Sequence, residues 1–139
     1  LVGAMCMDKE QIIKNVKMLL DDEPVSFAYL FGSMARGRAH AKSDVDIAVY
    51  LDPELDKLGR FDLRLRLTDK LAAHLVKDVD VVDLAAAPLS LRHYIMRDGI
   101  LIIEKQRLQR IGFEVSSRRE YFDLKRHLDR RSDAILNRQ

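Results

Sequence analysis

Residues 25–51 hold two runs of strand-forming residues, VSFAYLF (25–31) and DVDIAVYL (44–51), joined by a Gly-Ser turn and a basic loop. Val, Ile, Tyr and Phe suit a pleated, half-buried surface, and Gly32 and the pair Asp52-Pro53 close the runs. Two such runs commit the chain to a sheet. They also pose a problem, because aspartate is a poor strand residue and a half-buried carboxylate needs a metal, a donor or water. Side-chain alternation puts Asp44 and Asp46 on one face, about 7 Å apart at Cα, while Val45, Ile47, Val49 and Leu51 point to the other face as core.

The remaining elements follow from apolar periodicity. Residues 8–21 place Ile12, Ile13, Val16, Leu19 and Leu20 on one helical stripe, with Asp8 as N-cap and Pro24 just past the end. Residues 54–76 are ambiguous, since FDLRLRL alternates like a strand. Leu63, Leu67, Leu71 and Leu75 recur every fourth residue, however, and TDKLAAHL is a good helix former, so a helix is expected. DVDVVDL (78–84) reads as a strand, Pro88 opens a helix to about Arg97, and ILIIE (100–104) is a short buried strand. From Lys105 a helical pattern runs to the end, with Tyr121, Leu124, Leu128 and Ile135 on one face and a break expected at Gly112. The order α-β-β-α-β-α-β-α describes one mixed α/β domain. Its helices are expected to cover one face of the sheet and leave the other for a site or a partner.

Composition narrows the function classes. With 139 residues the chain can build one compact domain with a real core, and 47% apolar with 33% charged residues is a globular composition. No apolar run approaches the roughly 20 residues that span a bilayer, and the first ten residues do not read as a secretory signal. Cys6 is the sole cysteine, so no internal disulfide forms, which fits a cytoplasmic location; the four scattered histidines lack zinc-ligand spacing. A net charge of +2 does not by itself point to nucleic acid, yet residues 105–139 hold ten Lys/Arg against five Asp/Glu. That excess suits either a solvated helix face or a docking surface for an acidic partner, and the apolar stripe among it is expected to pack on the domain's own core.

An isolated D-x-D pair more often marks two solvated aspartates. The context changes that reading. Carboxylates this close resist joint ionisation unless a cation lies between them, and Mg²⁺ or Mn²⁺ suits such oxygens best. Gly32-Ser33, at the end of the preceding strand, lets backbone approach a ligand and offers N–H groups and a hydroxyl to a phosphate. Arg36, Arg38 and Lys42 can offset polyphosphate charge. A catalytic metal site calls for a third carboxylate. Asp80 and Asp83 lie on opposite faces of the third strand, so one of them shares the face of Asp44 and Asp46; Asp78, at the strand entrance, is expected to be solvated.

Gly32-Ser33, ten residues, then Asp44-Val45-Asp46 resembles the G-S-x(7–13)-D-x-D signature of the DNA polymerase β-like nucleotidyltransferases. GSMARGRAHAKSDVDIAV, with VDVV downstream, is similar in particular to the minimal nucleotidyltransferases, and the likeness continues through VVDLAAAPLSLRHYIMRDGILIIEK to the small antitoxin members. The resemblance implies a mixed sheet with flanking helices, a nucleotidyltransferase domain over residues 8–104 and a C-terminal helical extension of the same domain over 105–139. It implies transfer of a nucleoside monophosphate, with Gly32, Ser33 and Arg36 on the nucleotide and Asp44, Asp46 and Asp80 on Mg²⁺ (or Mn²⁺), Asp83 being the other candidate for the third acid. It also implies ATP as substrate and a HEPN-domain ribonuclease toxin as partner in a hetero-oligomer, with AMP transferred to a toxin tyrosine. DNA is not expected as a partner, since no helix-turn-helix or stacking platform is evident. The alternatives are an antitoxin that acts by contact alone and a small-molecule (antibiotic) nucleotidyltransferase.

Overall fold

The computed structural model describes residues 8–37 and 44–136. Helix α1 (Lys9–Leu20) starts at a capping box in which the Asp8 carboxylate accepts from the Gln11 N–H and the Gln11 side chain accepts from the Asp8 N–H. Strand β1 (Val25–Phe31) follows, then a four-residue helix α2 (Gly32–Ala35) and strand β2 (Val45–Leu51). Helix α3 (Lys57–Leu75), strand β3 (Val79–Asp83), a single 3₁₀ turn, helix α4 (Leu89–Asp98), strand β4 (Ile100–Glu104) and helix α5 (Arg107–Leu136) complete the order.

The sheet runs β3-β2-β1-β4. β1 pairs antiparallel with both β2 and β4, while β2 and β3 are parallel, joined across the sheet by α3. This is a mixed sheet, as a short link between β1 and β2 and a helical crossover from β2 to β3 require.

Each strand of the β1–β2 pair alternates between two cores. One lies beneath α1 and α3 and joins Ile12, Val16 and Leu20 to Leu30, Val45, Ile47, Val49, Leu67 and Leu71, all fully buried. The leucines at 63, 67, 71 and 75 all face it, which is why the helical period wins over the alternating one in this segment. Full burial of each such side chain contributes roughly 1.5–3 kcal/mol.

The second core lies on the opposite face, where Phe27, Tyr29, Phe31 and Ala48 meet Leu91, Tyr94 and Ile95 of α4 and Phe113 of α5. Phe27 and Tyr50 stack with ring centroids 4.8 Å apart. Helices therefore cover both faces, and the expectation of one open face is corrected: the odd-numbered aromatics of β1 are a second apolar surface that must itself be buried. Among the described helices, the short α2 is the one that reaches the end of this face, where Gly32 lies against Asp46. Gly112 does not interrupt α5, which continues through it; the cost of an interior glycine, about 1 kcal/mol, is small against the contacts that Phe113 and Glu114 make with Phe27 and Tyr29 on one face of β1. No described helix is long and apolar enough to cross a membrane.

Candidate active site

The site is built at the end of β1 and the beginnings of β2 and β3. Phe31, the last residue of β1, is in register with Asp46 on β2. Asp46 is in turn in register with Asp80 on β3. Parallel neighbours show the same face, so the two carboxylates stand side by side, about 5 Å apart at Cα. Asp44 is exposed and stands one residue ahead of β2 rather than inside it. The Val45 N–H donates to the Asp78 carbonyl at 2.9 Å, which draws the start of β2 onto β3 and holds Asp44 beside the pair.

Asp83 is excluded from this group. It projects to the face of α3, where Arg60 donates to both its carboxylate oxygens at 2.7 and 2.8 Å. The same carboxylate accepts from the Ala85 N–H at 3.1 Å and caps the 3₁₀ turn. Asp83 is thus a structural acid already satisfied by an arginine. Asp78 is exposed, as expected.

Gly32 explains itself sterically. Its φ is +74°, and a Cβ there would lie 2.2 Å from Oδ2 of Asp46. Only a glycine lets the turn after β1 lie against that carboxylate. The turn is pinned from below by Met34, buried in the first core, which leaves Ser33 half-exposed beside the acids. Arg36 ends α2, its N–H donating to the Gly32 carbonyl at 3.2 Å, and its guanidinium lies over the Tyr94 ring at 5.8 Å. Arg97 lies over the same ring at 5.9 Å and pairs with Asp98. Arg38 and Lys42 lie outside the described residues.

The electrostatics agree with the geometry. Burial, with the negative charges of Asp80 and Asp44, raises the Asp46 carboxyl above its ordinary value. Among the described residues, none of the three carboxylates forms an ion pair. Nor do any three acidic, histidine or cysteine side chains converge tightly enough, as they stand, to enclose a metal. Acids with no ion-pair partner among the described residues, at the starts of two adjacent strands and pressed on one side by a glycine backbone, are the kind of donor set that suits a hard divalent cation. Mg²⁺ in particular is commonly held by one or two carboxylates with substrate phosphates supplying other ligands, so a closed cage is not required. The residues fit such an ion.

The steric role of Gly32 and the ring of Tyr94 beneath Arg36 were not anticipated from the sequence. A glycine between a strand and a D-x-D run was the available sign of the first; nothing in the spacing pointed to the second. A groove of about 670 Å³ lies elsewhere, lined by Lys57, Arg60, Phe61, Val82 and Leu91, and does not include the three acids.

Residues 10–108 match the family model described as "Polymerase beta, Nucleotidyltransferase". The chain is 40% identical over 87 residues to the protein adenylyltransferase MntA of Shewanella oneidensis strain MR-1, a stretch that is 62% of this chain and 60% of that protein's length. The fold matches a crystal structure of a toxin-antitoxin with AMP-PNP at a TM-score of 0.70 and 32% identity, covering 94% of this chain and 99% of the other. It also matches, at a TM-score of 0.68 and 27% identity over 92% of this chain and 98% of the other, a chain from a complex of tri-AMPylated Shewanella oneidensis HEPN toxin with MNT antitoxin. With the G-S turn, the D-x-D strand and the third acid assembled at one sheet end, and the family model spanning the unit that assembles them, the chain belongs to the polymerase β nucleotidyltransferase family.

Proposed function

We propose that this chain is a Mg²⁺-dependent protein adenylyltransferase that transfers AMP from ATP to a tyrosine hydroxyl of a HEPN-domain ribonuclease and so neutralises it as an antitoxin. Residues 8–104 form the transferase unit and 105–139 its helical extension. The observation that carries the reading is the parallel register of Asp46 with Asp80, closed on its other side by the Gly32 backbone. The chain's similarity to MntA and to antitoxin structures supports the choice of donor and acceptor.

In this reading Asp44, Asp46 and Asp80 hold Mg²⁺, or Mn²⁺ in its place. When bound, the metal supplies Lewis-acid stabilisation of the charge that builds on the attacking and leaving oxygens. Gly32 and Ser33 receive the triphosphate through backbone N–H groups and a hydroxyl. Arg36, braced on Tyr94, opposes the negative charge of the departing pyrophosphate. The acceptor oxygen bonds to the α-phosphorus, the bond to the bridging oxygen breaks, and pyrophosphate leaves with its electron pair. Asp80, with its carboxylate exposed, takes the acceptor's proton. Positioning and charge neutralisation therefore do most of the work, since the chain contributes no covalent nucleophile.

The test is to incubate the chain with Mg²⁺ and a HEPN-domain ribonuclease from the same organism, using ATP labelled at the α- or the γ-phosphate, with aminoglycosides as the competing acceptor class. Label from the α-position on the ribonuclease, and none from the γ-position, is expected. Label on the aminoglycoside instead places the chain among antibiotic-modifying enzymes. No α-label on either acceptor removes the enzymatic reading.

A further inference from the structure

Helix α5 spans 30 residues, about 45 Å, but the domain uses only its first half. Arg110 and Glu114 tie it to Glu104 and Tyr29, Phe113 enters the second core, and Ser117 is 2% exposed. Tyr121 stacks on His93 of α4 with centroids 3.9 Å apart and planes 5° from parallel. Beyond it every residue from Phe122 to Leu136 is exposed. Those fifteen residues extend roughly 22 Å, a length at which a lone helix in water is marginal.

The exposed half is not a polar helix. Leu124, Leu128 and Ile135 are 42%, 50% and 54% exposed. The sequence had suggested that this stripe packs on the domain's own core; it does not, because the body ends at Tyr121. Positions 110, 114, 117, 121, 124, 128 and 135 follow one seam with steps of three, four and seven residues, the spacing of a helix that packs along another. The first four of these touch the domain. The last three continue the same face past its edge.

Two further observations say what completes the seam. It opens at the turn of α4 that carries His93 and Arg97, and Arg97 shares the Tyr94 ring with Arg36 of the active site. A body laid on Leu124 and Leu128 therefore abuts the rim of the catalytic centre. The seam also lies outside the span matched by the family model, residues 10–108, so it is an addition to the transferase unit rather than part of it. From residue 118 to residue 136 the helix carries Arg118, Arg119, Lys125, Arg126, Arg130 and Arg131 against Glu120, Asp123, Asp129 and Asp133, an excess of two that favours an acidic counterpart.

We propose that the open half of α5 is the docking surface for the protein that receives the adenylyl group, engaged through a helix whose apolar face is flanked by carboxylates. The inference rests on the proposed function for the acceptor's identity, but its test reads binding apart from transfer. The HEPN-domain ribonuclease that is the acceptor in that reading is labelled with a fluorophore and titrated, without ATP, against the wild-type full chain, Leu124→Glu/Leu128→Glu and the milder Leu124→Ala/Leu128→Ala. An increase of at least tenfold in Kd for the Glu variant and a smaller one for the Ala variant are expected, with helix content by circular dichroism and melting temperature unchanged. In transfer assays the loss falls on KM for the ribonuclease and not on KM for ATP. Equal Kd for wild type and both variants overturns the proposal. So does light scattering that finds the wild type dimeric and the Glu variant monomeric with ribonuclease affinity intact, since the seam would then join two copies of this chain. If the wild type binds through the seam but transfers no AMP, docking stands and the adenylyltransferase reading is the part that fails.

Discussion

Replacing Gly32 by alanine separates the site's geometry from the fold's stability. The new Cβ would stand 2.2 Å from Oδ2 of Asp46, so the carboxylate has to retreat by about 1 Å to reach ordinary contact near 3.4 Å. The obstructing atom is the tip of a side chain and not backbone, so the fold gives way cheaply there. What remains for stability is the left-handed φ of +74°, which costs a non-glycine residue about 1–2 kcal/mol. The cost to chemistry is larger. A displacement of about 1 Å at a catalytic group lowers rates on the order of 100-fold, equivalent to roughly 2.7 kcal/mol of transition-state stabilisation.

Gly37 supplies the control, because its φ is +71° but a Cβ there meets nothing within 4 Å. Gly32→Ala and Gly37→Ala are thus expected to lose similar stability in urea titrations, while Gly32→Ala alone loses about 100-fold in kcat for AMP transfer. Wild-type kcat in a folded Gly32→Ala protein would show that the position of Asp46 does not matter to the reaction. Equal kcat losses in both variants would show that the backbone strain, and not the contact with Asp46, is responsible.

Three other outcomes follow from the same contacts. Because folding raises the Asp46 carboxyl, the stability it provides is present when it is protonated and is lost as pH rises through the folded value. Asp46→Asn should therefore melt higher than wild type at neutral pH without metal, and the gain should vanish by about pH 4, the ordinary carboxylate range; a variant that melts lower at neutral pH contradicts this. Asp80→Asn should abolish transfer with little change in stability, whereas Asp83→Asn should cost roughly 1.5–3 kcal/mol by weakening the partly buried Arg60 pair and retain transfer per folded molecule. The opposite assignment of the two losses would make Asp83 the third acid. Leu67→Ala, at a fully buried position between α3 and the sheet, should lose about 2–5 kcal/mol in chemical denaturation, and a loss below 1 kcal/mol would mean that the first core is not the stabilising one.

Much of the fold was legible because single patterns sufficed. The β1 run of seven buried residues ends at the residue before Gly32, and the fourfold leucine repeat of α3 outweighs a local alternation. Legibility failed where partners decide the outcome. Whether Asp80 or Asp83 joins Asp46 depends on the register of β3 against β2, which composition does not contain. The covering of the second sheet face follows from aromatics at 27, 29 and 31 alternating with Ala28 and Leu30, a pattern that in a fully buried strand looks like continuous hydrophobicity. The stripe on α5 has the same periodicity whether it is covered or exposed, so its exposure emerged only with the domain's edge. In the candidate site, spacing and resemblance pointed to acids and a Gly-Ser turn that the fold brings to one sheet end. The reason the turn needs glycine lies in a contact between residues fourteen positions apart.

In the proposed function the carboxylates neutralise the partner by chemistry. The most direct measurement pairs the ribonuclease activity of the HEPN-domain partner with its intact mass after incubation with ATP, Mg²⁺ and either wild type or Asp44→Asn/Asp46→Asn. AMP on the partner and a silenced ribonuclease are expected with wild type, and an unmodified, active ribonuclease once the double variant is removed. A ribonuclease silenced equally by both, with no AMP attached, would contradict the proposed function.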